Sequence, residues 1–147
     1  MWISDPSGSC CKTRFLCGVA AVMLLAGCAP KNIAGGWCQD HPLTTADEWT
    51  CTVKGPLVDN TNTIEYKTDS RNEIAKVQIA LQVTKGTLRI TYGDLEGSHK
   101  VLVTPSEPFA ITVQTRLRKE GRSFSIMYEP VNGRVEGLTG SVNYSTP

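Results

Sequence analysis

The chain has 147 residues and carries 15 Lys and Arg side chains against 14 Asp and Glu. This length is sufficient for one domain with a modest core. Because the charges almost balance, the composition offers no basic face of the kind that nucleic acid needs, and we predict no nucleic-acid partner.

An apolar run of uncharged residues extends from Phe15 to Ala26, directly after the basic residues Lys12 and Arg14. As a helix it would span about 18 Å, which is short of the roughly 30 Å hydrocarbon core of a bilayer. The run therefore predicts a secretory signal rather than a membrane-spanning helix. The alternative is a buried core helix that is followed by an ordinary cysteine.

The residues Leu25-Ala26-Gly27-Cys28 at the end of this run resemble the lipobox of bacterial lipoproteins. The resemblance implies that residues 1–27 are removed and that Cys28 becomes the lipidated N-terminus. Two or three acyl chains such as palmitate would then hold the protein stably on the periplasmic or extracytoplasmic side of a membrane. Ala29, rather than an aspartate, follows the cysteine, which in an envelope with two membranes implies the outer membrane.

Removal of the leader leaves a tether, residues 28–36, and a single β domain, residues 37–147. The leader contains Lys12, Arg14 and Asp5, so the remaining chain has thirteen basic and thirteen acidic residues. The Gly and Pro content of the tether indicates a short, flexible connection between the lipid and the domain. We therefore expect the domain to lie close to the membrane surface.

Two cysteines, Cys38 and Cys51, remain once the leader and Cys28 are set aside. Two is the number that one disulfide needs, and the predicted compartment is oxidising. A bridge closing a loop of this size stabilises a fold by about 3 kcal/mol. A metal site that adds His41 is the alternative, but the spacing matches no usual zinc pattern. We predict the disulfide, and neither a metal nor a cofactor.

The rest of the chain has the period-two alternation of half-buried strands. Thr45 and Glu48 are spaced as a capping box, which predicts one helical turn over residues 43–49. Seven or eight short strands separated by turns predict an antiparallel β-sandwich, with a small β-barrel as the alternative. The predicted strands are Cys51–Val58, Thr63–Lys67, 76–83, 87–92, 101–103, 109–118, 124–128 and a last one near 138–144.

Three turn signals separate these strands. Gly86, in Lys85-Gly86, can supply the positive φ of a two-residue hairpin turn. A second turn is predicted at residues 119–121. Asn132-Gly133 is the strongest hairpin signal in the chain, and it predicts a tight turn before the last strand.

Two tryptophans, Trp37 and Trp49, lie next to the predicted disulfide in the sequence. They could form an aromatic surface for a ligand or a partner. The favoured interpretation is structural, because a buried indole removes a large apolar area from water and would cover the bridge.

Four basic residues, Arg116, Arg118, Lys119 and Arg122, are offset only by Glu120 and form the candidate binding surface. Such a patch could meet anionic lipid headgroups, lipopolysaccharide or an acidic partner. The alternative is that exposed charges protect a sheet edge from pairing with another chain.

No residue is predicted to be catalytic. His41 and His99 are the only histidines; His41 has no neighbouring nucleophile in sequence, and His99 lies in the polar loop Gly97-Ser98-His99-Lys100. A metal site formed by Asp94, Glu96 and His99 is conceivable, but acids in a Gly-rich turn are usually only solvated. No serine lies in a nucleophile elbow, so we do not predict an enzyme.

We therefore expect a membrane-anchored lipoprotein that acts as a non-catalytic binding or assembly module of an envelope or secretion complex. The alternative is an envelope inhibitor or exclusion protein that acts against lysozyme, a protease, phage or conjugation. Its contact loops would be Gly93–Lys100 and Thr104–Pro108. A hydrolase or ligand carrier is a weaker alternative, and it would need a pocket that converges on His41 or His99.

Overall fold

A computed structural model describes Ile33 and residues 48–68 and 70–147 of the chain. This part is antiparallel and all-β, as the sequence predicts, and no helix in it is long and apolar enough to span a membrane. Its seven strands are β1 (Trp49–Val58), β2 (Asn62–Lys67), β3 (Ile74–Gln82), β4 (Lys85–Gly93), β5 (Ser98–Val103), β6 (Phe109–Arg116) and β7 (Ser123–Ser145).

The 23-residue strand β7 organises the fold. Its first half pairs with β2 on one side and β4 on the other, and β5 extends this half-sheet beyond β4. Its second half pairs with β1 and β3, and β6 extends that half-sheet beyond β3. The single sheet therefore consists of two half-sheets that share β7.

The predicted tight hairpin at Asn132-Gly133 is wrong. Both residues have positive φ, at 59° and 123°, but β7 continues through them and its two halves do not pair with each other in the described part of the chain. Tyr128 instead pairs with β2 and β4, and Leu138 pairs with β1. Since other strands occupy both sides of each half, the positive-φ pair redirects one strand rather than closing a hairpin.

The predicted two-residue hairpin at Lys85-Gly86 is also wrong. β3 and β4 belong to different half-sheets and are not paired. Gly86 has the expected positive φ of 87°, at a register shift where β4 begins to pair with β7. A Cβ atom there would lie 2.6 Å from the carbonyl oxygen of Arg134. Gly86 therefore permits close approach of two backbones.

The inner faces of both half-sheets form one core. In β3 the residues Ala75, Val77, Ile79 and Leu81 are buried, and they alternate with more exposed side chains. This burial confirms the period-two prediction for that strand. The core lies between the half-sheets because their apolar side chains point toward each other.

An aromatic cluster closes one end of this core. Trp49 is 5% exposed and stacks on Tyr66, Phe124 and Tyr144, with ring centroids 6.1, 6.0 and 5.5 Å apart. Within the described residues, Nε1 of Trp49 is buried without a hydrogen-bond partner. Trp49 is the first residue of β1, whereas most of the helical turn predicted over 43–49 lies outside the described residues.

The leader, Cys28, Trp37, Cys38 and His41 also lie outside the described residues. Cys51 is buried and disulfide-bonded, and its pairing with Cys38 stays a prediction. Ile33, which belongs to the predicted tether, is 4% exposed and packs in the core cluster. At least this residue of the segment therefore contacts the folded body.

Candidate functional site

A cleft of about 290 Å³ opens where β4 and β7 diverge. The last residue pair between these strands is Thr91 with Met127. β4 continues to Gly93, and β7 begins at Ser123, so both strands extend beyond that pair. Beyond that pair the two strands no longer pair with each other, although β4 stays paired with β5 and β7 with β2, and their ends form walls of the cleft.

The cleft combines an apolar floor with polar walls. Val77 and Ile79 of β3 and Val113 of β6 contribute the floor from the opposite half-sheet. Hydroxyl groups lie around it, from Thr63, Thr91, Ser98, Thr115, Ser123 and Ser125. Among the described residues, Arg116 and Arg118 supply the charged groups of the lining.

Hydrogen bonds hold Arg118 at the wall that β7 forms. Its Nη2 donates to Oγ of Ser125 over 3.1 Å, and its backbone N–H donates to the carbonyl of Ser123 over 2.9 Å. Arg116 ends β6, where it pairs with Ile74, and its side chain is exposed. Both arginines therefore line one cleft, and none of the described residues that line it carries a carboxylate.

The predicted basic surface divides into two parts. Arg116 and Arg118 line the cleft, whereas Lys119 and Arg122 do not. Lys119 is exposed on the connection between β6 and β7. Arg122 has a φ of 44°, and its Nη1 donates to the carbonyl of Asn72 over 3.4 Å. The four charges thus face different surroundings, and only the first two share a cavity.

A nearby acid is already engaged by a serine. Oγ of Ser123, a buried residue, donates to Oε1 of Glu65 over 2.5 Å. Glu65 pairs with Ser125 in the adjacent strand. This contact ties β2 to the start of β7, and it fixes the wall on which Arg118 rests.

Asp94 stabilises the turn between β4 and β5 through its side-chain contacts. Oδ1 of Asp94 accepts hydrogen bonds from the amides of Glu96 and Gly97, over 2.7 and 2.9 Å. Nε2 of His99 lies 2.7 Å from Oδ2 of Asp94, and the imidazole stacks on Tyr92 with centroids 5.5 Å apart. These contacts rigidify a hairpin turn.

The pKa values near this turn follow from the same contacts. Desolvation acts to raise the pKa of Asp94, but the hydrogen bonds from His99 and the two amides outweigh it, and the pKa lies below its usual value. Desolvation raises the pKa of Tyr92, and the Asp94 charge raises it further. Within the described residues, no three His, Cys, Asp or Glu side chains are placed to hold a metal ion.

The lining chemistry favours binding over proton transfer. General acid–base catalysis uses an imidazole, a carboxylate or a similar group within hydrogen-bond reach. The described residues that line this cleft supply guanidinium and hydroxyl groups, and His99 is not among them. Tyr92 also lines the cleft, and its raised pKa keeps the phenol a hydrogen-bond donor rather than a base. Such a set of donors suits an anion that is held in place.

The two arginines were predicted from the sequence, whereas the cleft was not. Ser123 and Ser125 alternate at the start of β7, which is ordinary strand patterning. Thr91 and Ser98 lie on β4 and β5, and no motif links them to the arginines. The cleft forms where β4 and β7 separate, and the local sequence does not indicate the position of that separation.

No protein-family model matches the chain, and no curated protein matches it. Among solved structures, the PRD1 vertex protein P5 is similar, with 8% identity and a TM-score of 0.45 over 69% of this chain and 96% of that chain. A family of disulfide-linked pili from Bacillus endospore appendages has 14% identity and a TM-score of 0.36, over 63% and 89% of the two chains.

The family 11 carbohydrate-binding module from Clostridium thermocellum is also similar in structure. Its identity is 9% and its TM-score 0.35, over 66% of this chain and 75% of that chain. Similarities this distant indicate no function for this chain.

Proposed function

We propose that this chain is a lipid-anchored, non-catalytic binding module that helps to assemble or stabilise an envelope or secretion complex. The lipobox resemblance at Cys28 supports the membrane anchor, and Ala29 supports the outer membrane in an envelope that has two membranes. The cleft supports the binding role.

The observation that carries the binding role is the composition of the cleft lining. Arg116 and Arg118 provide fixed positive charge, and hydroxyl groups surround an apolar floor. Arginine remains protonated throughout the physiological range, so it binds anions well and serves poorly as a base. A protein that recognises an anionic group needs these features, whereas a hydrolase would need a general base in the same cavity.

The position of β1 supports closeness to the membrane. The Trp49 ring stacks on Phe124, so the start of β1 lies beside the start of β7 and the basic residues that precede it. Ile33 is buried, and it lies five positions after Cys28 in the sequence. Five residues span at most about 18 Å when extended. An acylated Cys28 would therefore hold the folded body within that distance of the membrane.

Purification of the tagged full-length protein from detergent-solubilised membranes tests the proposal. We expect the wild type and Lys119→Gln to retain the same stoichiometric partner, and Arg116→Gln/Arg118→Gln to lose it. Lys119→Gln is the matched control because it removes a charge from the same connection outside the cleft. Failure of the wild type to retain any stoichiometric partner would contradict the assembly role.

An envelope inhibitor or exclusion protein is the second candidate, and the rigidity of two loops favours it. Asp94 fixes the first loop through two backbone amides. In the second loop, Thr104 and Glu107 exchange two backbone hydrogen bonds of 3.2 and 3.1 Å. Rigid loops suit insertion into another protein's site, since little conformational freedom is lost on binding. Unchanged lysozyme and phage sensitivity in a deletion strain would argue against this candidate.

A further inference from the structure

We propose that the cleft between β4 and β7 binds the C-terminal residue of a partner polypeptide, with its carboxylate at the arginines and its apolar side chain on the floor. This inference rests on the proposed binding function, and it names the chemistry of the bound group. It does not depend on the lipid anchor.

The floor selects an apolar side chain of limited size. Val77, Ile79 and Val113 present hydrocarbon from the opposite half-sheet. A volume of about 290 Å³ lies at the lower end of the range for small-molecule pockets, roughly 300–1,000 Å³. A single Leu, Ile or Val side chain with its terminal carboxylate suits that space better than a long acyl chain.

The walls select an anionic head. A guanidinium presents its N–H groups in a fixed plane that matches the two oxygens of a carboxylate. The Arg118 guanidinium is held through Ser125, so part of its freedom is already restricted before a ligand binds. Because the charged residues of the described lining are both arginines, a cationic ligand would meet like charge there.

The backbone explains why a polypeptide is the favoured source of that carboxylate. Tyr92 and Gly93 pair with β5, and residues 123–126 pair with β2, but these two segments do not pair with each other across the cleft. The carbonyl of Ser123 already accepts from the Arg118 amide, so an extended chain that enters there can form backbone hydrogen bonds with the remainder of these strand edges. A fatty acid carries the same carboxylate but has no peptide groups with which to use these edges.

Calorimetric titration of the protein as purified from membranes, reconstituted in zwitterionic nanodiscs, provides the test. The probe is the acetylated tetrapeptide acetyl-Ala-Thr-Val-Leu with a free C-terminus, and the matched control is its C-terminal amide. We expect the amide to bind about tenfold more weakly, or worse, because it lacks the charge that the arginines recognise.

Protein variants locate the site. Arg118→Gln should weaken binding of the free acid about tenfold, whereas Lys119→Gln should change it by no more than about twofold, as expected for an exposed charge outside the cavity. Arg118 is exposed, so its removal leaves the core intact. Unchanged near-ultraviolet circular dichroism of both variants verifies the fold.

Four outcomes would overturn the inference. Two concern the peptide: it does not bind, or the free acid and the amide bind equally. The other two are an equal loss of affinity in Arg118→Gln and Lys119→Gln, and binding of octanoate without binding of the peptide. Each is distinguishable from failure of the proposed function, which is judged by partner retention in solubilised membranes. If both the wild type and Arg116→Gln/Arg118→Gln retain the partner, the proposed binding function stands, but the partner binds a surface other than the cleft.

Discussion

The hydroxyl oxygens of Tyr66 and Tyr128 lie 2.7 Å apart inside the core. Tyr66 comes from β2 and Tyr128 from the first half of β7, and both side chains are fully buried. The Tyr66 ring also stacks on Phe124 with centroids 5.2 Å apart. One hydrogen bond therefore satisfies two polar groups beneath the half-sheet that carries the cleft.

Replacing both tyrosines should lower the free energy of unfolding by less than the sum of the two single replacements. Tyr66→Phe leaves the Tyr128 hydroxyl buried without this partner, and we expect a loss of about 1–3 kcal/mol in the free energy of unfolding. In Tyr66→Phe/Tyr128→Phe neither hydroxyl remains, so the total loss should be smaller than the sum of the two single losses. Urea denaturation of the four proteins measures this, and additive losses would contradict the pairing.

Stability should fall at alkaline pH because of the same pair. Burial raises the pKa of both tyrosines, and the neighbouring Tyr128 raises that of Tyr66 further. A tyrosine in the unfolded chain ionises near pH 10. The stabilisation from these groups is therefore complete below about pH 10 and is lost as the pH rises toward their folded-state pKa values.

Urea denaturation between about pH 9 and 11 checks this dependence, where each tyrosine contributes a slope of up to about 1.4 kcal/mol per pH unit. Tyr66→Phe/Tyr128→Phe should have a shallower decline, and it serves as the control for titration of the lysines. An equal slope in both proteins would show that the pair does not remain protonated in the folded state.

Gly137 should tolerate substitution worse than Gly121. Both have positive φ, at 64° and 79°, so Ala costs each about 1–2 kcal/mol of backbone strain. At Gly137 a Cβ would also lie 2.2 Å from Oγ1 of Thr84, whereas nothing lies within 4 Å at Gly121. We expect Gly137→Ala to lose roughly 1–3 kcal/mol more than Gly121→Ala in thermal or urea unfolding. Equal losses would contradict this packing.

Removal of the predicted disulfide should destabilise the fold. Cys51 is buried in β1 beneath the aromatic cluster and is disulfide-bonded. Cys38→Ser and Cys51→Ser should each lower the free energy of unfolding by about 3 kcal/mol, and the double variant should add little. Peptide mapping without reduction should recover residues 38 and 51 as one linked pair. Independent, additive losses would refute that pairing.

The strands could be predicted from sequence because alternation is a local property. The buried residues Val77 and Ile79 alternate with charged and amide side chains, and the strand they predict is present. The positive φ values at Gly86 and Asn132 were also predictable. The sequence did not show whether these residues close hairpins. A hairpin forms only if the two flanking segments pair with each other, and here more distant strands pair with those segments instead.

The candidate site was predictable only in part. The sequence identified Arg116 and Arg118 as members of a basic cluster, and both are exposed. Their separation from Lys119 and Arg122 depends on where β4 leaves β7, after the pair Thr91–Met127. That divergence is set by the packing of two half-sheets and has no counterpart in local sequence.

Mass spectrometry of the mature N-terminus tests the central claim, the lipid-anchored module, most directly. The protein purified from membranes should begin at Cys28 and carry the mass of a diacylglyceryl group, often with a third acyl chain. Cys28→Ala should lose this mass and the incorporation of a labelled palmitate analogue. A mature wild-type chain that retains residues upstream of Cys28, or that carries no acyl mass there, would contradict the account.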